Sequence, residues 1–274
     1  FFDCWRGIKG EPTIVGTLYQ MAQSIEGWFQ SLGWVTQKCF VLIMALSLGG
    51  TLNIVSPQYF ILDFDLIFKQ LQVWRLITNM FFFGMFAGPS AFQVLINIYL
   101  FLKYSQQLEE AEFNGKRADY IWMFVISALI MTALGGGLLG ARITSRGLLL
   151  VVVWIWCRRN ASQQLNIMGI FDVKAIQFPW VLMLIHWIFG QGWEPDALGI
   201  VAGHFYIFMK DILPQTHGID WLRTPRFLLN QYPEQRPVGG FGGTPTYMPA
   251  SRAAPASGPP RSSFSGAGRV LGSD

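Results

Sequence analysis

Side chains able to act as nucleophile, base or metal ligand are few. There are three histidines, His186, His204 and His217, and three cysteines, Cys4, Cys39 and Cys157. The cysteines are widely spaced and odd in number, which implies neither a disulfide framework nor a zinc site. No metal and no cofactor is expected. The histidines invite another chemistry: a serine hydroxyl made nucleophilic by an imidazole within hydrogen-bond reach, working inside a membrane. His204 follows Gly203 in the apolar stretch Leu198-Gly199-Ile200-Val201-Ala202-Gly203-His204. In such a stretch the commoner role of a His is a hydrogen bond between helices, and that is the role expected of His204. The segment Gly88-Pro89-Ser90-Ala91 reads as a turn rather than as a nucleophile's setting.

The elements that must hold these residues are membrane helices. Of 274 residues, 52% are hydrophobic and 13% charged, about half the charge of a soluble domain. Mean hydropathy is +0.36. That excludes a disordered or collagen-like chain and an ordinary water-soluble domain. The net charge is +4 with no dense Lys/Arg block, so nucleic acid is not an expected partner. Six apolar runs read as spans: about 37–55, 91–104, 120–139, 148–157, 178–189 and 198–212. A full span needs about 20 apolar residues, so the fourth and fifth, with short cores, call for local thinning of the bilayer or burial among neighbours. Gly199 and Gly203 let the second or fourth span approach the sixth closely. Gln93 and Asn97, four apart on the second span, share a face and either bond to other helices or line a wet groove. No span core carries an acidic residue.

If the N-terminus is cytosolic, sixteen of the twenty Lys and Arg fall on the cytosolic side and four, Lys69, Arg75, Arg142 and Arg146, on the other. That asymmetry predicts both termini in the cytosol. The chain opens on Phe, as a segment numbered from within a longer product would, and residues 1–34 lack the pattern of a signal peptide. Ile14, Leu18, Met21, Ile25, Trp28 and Leu32 recur at helical spacing, which predicts an amphipathic helix on the membrane surface or on the protein's own cytosolic face. Residues 56–90 form a long apolar loop expected to dip into the interface, with Tyr59 and Trp74 at headgroup depth. Beside Trp74, Arg75 is a fixed cation able to hold phosphate or carboxyl groups. The domains expected are thus 1–34 (amphipathic segment), 35–213 (membrane domain) and 214–274 (tail). Nine of the fourteen prolines fall in the tail, which is read as largely disordered, from about Tyr232 onward.

Several motifs appear together and in order. They are Ser56-Pro57-Gln58-Tyr59, Gln72-Val73-Trp74-Arg75-Leu76-Ile77-Thr78 and Leu108-Glu109-Glu110 followed by Phe113-Asn114-Gly115-Lys116-Arg117-Ala118-Asp119-Tyr120. Further along come Phe178-Pro179-Trp180-Val181-Leu182, the Gly199-xxx-Gly203-His204-Phe205-Tyr206 span and Leu222-Arg223-Thr224-Pro225-Arg226-Phe227-Leu228. From about Gly27 to Leu229 the chain resembles the derlins, the rhomboid-like pseudoproteases. The resemblance implies an all-α, rhomboid-like six-helix membrane bundle without protease activity. Rhomboid proteases carry their Ser in Gly-x-Ser-Gly at the start of the fourth span, and this chain has no such sequence; here that span begins Arg146-Gly147-Leu148. Their His lies three residues before the first Gly of the sixth-span pair, a position held here by Asp196.

By the same resemblance, the protein is expected in the endoplasmic reticulum membrane, helping misfolded client polypeptides reach the cytosol for degradation together with a membrane ubiquitin ligase complex. A homo-oligomer stays open. A lateral opening near the second and fifth spans, in thinned lipid, would lower the cost of passing an unfolded chain, whose unpaired backbone groups each cost several kcal/mol in hydrocarbon. The tail residues Phe264, Gly266, Gly268 and Leu271, within 264–272, match the F-x-G-x-G-x-x-L pattern of the SHP box, by which derlins bind the valosin-containing AAA ATPase. Phe264 and Leu271 would fill two pockets while the glycines let the backbone lie against a sheet edge. Two other readings predict different behaviour. An active intramembrane protease with an unconventional nucleophile would label with a fluorophosphonate. An unrelated transporter would show interrupted half-spans and intramembrane charge.

Overall fold

A computed structural model describes residues 14–137, 143–167, 171–218 and 222–234. The helices are α1 (Ile14–Ser31), α2 (Trp34–Thr51), α3 (Phe64–Gln70), α4 (Trp74–Phe81), α5 (Ala91–Ala111), α6 (Arg117–Met131), α7 (Ser145–Arg159), α8 (Phe178–Ile188), α9 (Glu194–Ile207), α10 (Leu213–His217) and α11 (Arg226–Gln231). A short antiparallel hairpin joins α7 to α8, with β1 (Gln164–Ile167) opposite β2 (Phe171–Lys174) and Leu165 facing Val173. Helices therefore stand at all six expected spans. Three stretches, Trp34–Thr51, Arg117–Gly136 and Glu194–Thr216, are both long and apolar enough to cross a membrane by length and composition. The last two are lengthened by π-helical turns at Thr132–Gly136 and Phe208–Ile212.

The centre of the molecule is α7. Twelve of its fifteen residues are buried, among them the whole run Leu148–Cys157. A helix that is apolar all round belongs inside a bundle, and this one is surrounded by α5, α8 and α9. Its closest neighbour is α9. A Cβ on Gly199 would lie 2.2 Å from the Gly147 carbonyl oxygen, and one on Gly203 would lie 3.0 Å from the Trp154 ring. The small-residue pair thus serves the fourth span, one of the two partners expected, and lets two backbones touch where any side chain would hold them apart.

The segment 56–90 is not a loop. It folds into α3 and α4, flanked by 3₁₀ turns at Pro57–Tyr59 and Gly88–Ser90. Asp63 caps α3 by accepting from the Leu66 N–H, and Asp65 pairs with Lys69 one turn on. Its apolar residues find the core: Phe60, Leu62, Met80, Phe82 and Phe83 are buried, while Tyr59 and Trp74 stay half exposed, as interfacial side chains would. Gly88 takes a positive φ of 69°, so Gly88-Pro89-Ser90 is the turn expected from sequence.

At the other end of the bundle, Glu109 of α5 caps α2. Its carboxylate accepts from the backbone N–H groups of Val35 and Thr36 and from the Thr36 hydroxyl. Trp28 and Phe29 of α1 pack on Phe40, while Ile25 stays exposed. The packed body also runs beyond residue 213. The Thr224 hydroxyl donates to Asp119, Leu228 of α11 is buried, and Tyr232 packs on Trp34.

Candidate functional site

A cluster of buried polar side chains lies where α8 turns into α9. Phe178–Ile188 is an apolar helix opened by Pro179, and its one polar residue, His186, falls in the last turn. A cation-capable ring is well placed at a helix C-terminus. Gly190, with φ 73°, makes the turn, and Glu194-Pro195-Asp196 opens α9, so Asp196 falls in the first turn, where a carboxylate is favoured. His186 Nδ1 lies 2.9 Å from Asp196 Oδ2, and His186 Nε2 lies 3.1 Å from the Asn97 side-chain oxygen on α5. Asn97, His186 and Asp196 are all buried.

Arg146, in the first turn of α7, closes the cluster from outside. It donates to the Gln191 side chain at 2.7 Å and to the Gly192 carbonyl at 2.7 Å, and it stands 3.9 Å from Asp196. Beside it, Asn79 of α4 and Thr144 exchange two hydrogen bonds, with the Asn79 amide donating to the Thr144 hydroxyl and the Thr144 N–H donating back. Four elements, α4, α5, α7 and the α8–α9 turn, are thereby tied at one end of the bundle.

In this cluster His186 is engaged at both ring nitrogens, while Asp196 Oδ1 is buried without a hydrogen-bond partner. The two nitrogens of His186 face a carboxylate and an amide, neither of which is a hydroxyl or thiol it could activate by taking a proton. His204, the other histidine with a described side chain, is exposed and stands edge-on to Trp154 at 6.0 Å. Neither His is bonded to a hydroxyl or thiol. Cys39 and Cys157 are free thiols buried in the core, and no cluster able to hold a metal occurs among the described residues.

The expected site residues separate accordingly. Asn97 joins the cluster, whereas Gln93, a turn earlier, is only partly buried and takes no part in it. His204 makes no hydrogen bond between helices among the described residues, contrary to expectation; it is exposed on α9 and meets α7 through an edge-on contact with the Trp154 ring. Arg75 is not open to a ligand. It is buried, its Nε donates to the Gln72 side chain, and its Nη1 donates to the Gln58 and Ile61 carbonyls, which pins the 56–62 segment onto α4. The expectation that no acidic residue enters a span is also corrected: Asp196 is wholly buried, a carboxylate made tolerable by His186 and Arg146. Sequence reasoning had Asp196 and Arg146 in view but had no means of bringing them to His186. Phe264, Gly266, Gly268 and Leu271 lie outside the described residues.

At the opposite end of α7 stands an ion cluster that sequence reasoning missed. Arg159 at the end of α7 reaches Asp211 at 2.8 Å and Glu112 at 3.3 Å, joining the ends of three helices. The signal was present as three charges at span termini, but their pairing depends on the bundle's topology.

The bundle of apolar helices, three of its stretches long and apolar enough to cross a membrane, defines a multi-pass α-helical membrane protein. Residues 32–226 match the Der1-like family, and the chain belongs to that family. It is 31% identical over 216 residues to a "Probable derlin-2 homolog" of Dictyostelium discoideum, covering 77% of this chain and 84% of that protein. It is 30% identical to "Derlin-2.1" of Zea mays over 218 residues, 76% of this chain and 86% of the relative. "Derlin-2.2" of Arabidopsis thaliana is likewise 30% identical, over 76% of this chain and 88% of its own length. These relatives are named as derlins, not as proteases.

Proposed function

We propose that this protein is a non-catalytic, derlin-type component of endoplasmic-reticulum-associated degradation. It assists the retrotranslocation of misfolded polypeptides to the cytosol, sits in the endoplasmic reticulum membrane with six spans and both termini cytosolic, and works with a membrane ubiquitin ligase complex. Its tail, through Phe264, Gly266, Gly268 and Leu271, recruits the valosin-containing AAA ATPase.

The observation that carries this reading is α8. With the 3₁₀ turn Ala175–Gln177 that leads into it, α8 makes an apolar helix over Ala175–Ile188 about 22 Å long, short of the roughly 30 Å hydrocarbon thickness of a bilayer. Yet Trp180, Leu184, Trp187 and Ile188 are exposed along it, and Phe189 just after it. Lipid beside such a helix must thin to meet it. Next to this thin zone, α8 meets α5 through the Asn97–His186 bond and a Tyr104–Phe178 ring contact at 5.5 Å. A seam held by so little is where an unfolded chain would enter, and thinned lipid reduces the number of backbone groups left unpaired during passage. The engagement of both His186 ring nitrogens supports a role without peptide-bond cleavage.

The test is reconstitution of the full chain in vesicles of increasing hydrocarbon thickness, with the ATPase outside and a labelled misfolded client within. Release of intact client should fall as the bilayer thickens, and removal of the last eleven residues should abolish ATPase capture. Client released as cleaved fragments, or fluorophosphonate labelling of the protein, would establish the protease reading instead.

A further inference from the structure

On the face built by α7, α8 and α9 there is a side-open groove of about 450 Å³. Its apolar walls are Trp154 of α7, Trp180 of α8 and Ile200, Val201 and Phe205 of α9. Three elements reach it at one end of the bundle: Arg158 from the last turn of α7, Trp180 from the first turn of α8 and Phe208 just beyond α9. On the Lys/Arg distribution this is the cytosolic end, where the groove meets lipid headgroups.

The two neighbouring arginines here behave differently. Arg159 is neutralised by Asp211 and Glu112. Arg158 has no carboxylate partner among the described residues; its guanidinium lies 5.0 Å from the centre of the Trp154 ring, at the mouth of the groove. His204, another nitrogen donor, lines the same groove one turn deeper than Phe208. No acidic side chain lines it, so a ligand's ammonium group would find no counter-charge, whereas a phosphate would. An apolar trough opening sideways, with an uncompensated cation at headgroup depth, matches a molecule having an acyl chain at one end and a net negative head at the other.

We propose that this groove is a binding site for one anionic phospholipid. Its phosphate is held by the Arg158 fork, with His204 as the second donor, and an acyl chain lies against Trp180, Ile200, Val201 and Phe205. The proposal stands on the membrane setting of the protein and does not depend on retrotranslocation.

The experiment is native mass spectrometry of the full chain in mild detergent, with phosphatidylinositol and phosphatidylcholine of matched acyl chains added in competition. The protein should retain phosphatidylinositol about tenfold over phosphatidylcholine, the scale of one charge-assisted hydrogen bond. Arg158→Gln should bring the ratio close to one; because Arg158 is exposed and carries no ion pair, the variant should keep its fold. Val201→Trp, at an exposed position, should fill the trough and reduce retention of both lipids. Millimolar inorganic phosphate should displace neither. Equal retention of the two lipids by the unaltered protein would overturn the site. So would a preference that survives Arg158→Gln, or displacement by phosphate alone, which would indicate a free-anion site.

Discussion

Helices α7 and α8 are both too short to cross a bilayer, at fifteen and eleven residues, and they resolve the mismatch in opposite ways. α7 is about 22 Å long but meets little lipid, because α5, α8 and α9 enclose it. Its neighbours supply the apolar surroundings that lipid would otherwise provide. α8 keeps one face on the bundle through Phe178, Leu182 and His186 and turns Trp180, Leu184 and Trp187 outward. On the proposed function, only α8 therefore imposes its length on the membrane. A short apolar run is not in itself a thinning device; it becomes one when it lies at the periphery.

Four measurements sharpen or break that contrast. The largest effect is expected at the contact that buries α7. Gly199→Leu would force a side chain into the Gly147 carbonyl, and the protein should be lost from the monodisperse peak on gel filtration; Val201→Leu, two residues on and exposed, should elute normally. Next comes the anchor of α8. His186→Ala leaves the Asp196 carboxylate buried with only Arg146 near it, a change worth about 3–5 kcal/mol in thermal unfolding, whereas Asn97→Ala should cost about 1–2 kcal/mol. In Asn97→Ala, amide exchange should quicken in α8 and not in α7; equal quickening in both would break the contrast.

A smaller, optical effect tests exposure directly. In single-tryptophan variants within brominated-lipid bilayers, Trp187 should be quenched and the buried Trp156 should not. The smallest effect belongs to a pair outside both helices. The Lys69 ammonium holds the Asp65 carboxyl below its usual range, so the pair's contribution is present at neutral pH and is lost as pH falls through that lowered value. Both groups are fully exposed, and Lys69→Ala should leave the melting temperature at pH 7 unchanged.

Much of the architecture was legible in the chain. Apolar runs marked α2, α5, α6, α7, α8 and α9, since burying an unpaired backbone in apolar surroundings leaves helix as the available local solution. Gly199 and Gly203 announced a close helix contact, and Gly88-Pro89 a turn. What misled was local polarity without partners. Arg75 looked like a ligand-binding cation until the Gln58 and Ile61 carbonyls were found around it. His204 looked like a hydrogen bond between helices until it was found exposed, edge-on to Trp154. His186 drew no attention, although it is the histidine at the hub.

The sequence by itself determined that this chain lives in a membrane, where six of its apolar helices lie and which family its motifs resemble. Those follow from composition and from spacing along one strand of covalent bonds. Only the tertiary structure decided that α7 is enclosed and α8 is not, that Asn97 and His186 meet across 89 residues of chain with Asp196 on the other side of the ring, and that Arg158 has no carboxylate partner among the described residues while Arg159 is neutralised. Burial and charge pairing depend on what stands beside a residue in space, and distance along the chain carries no record of that.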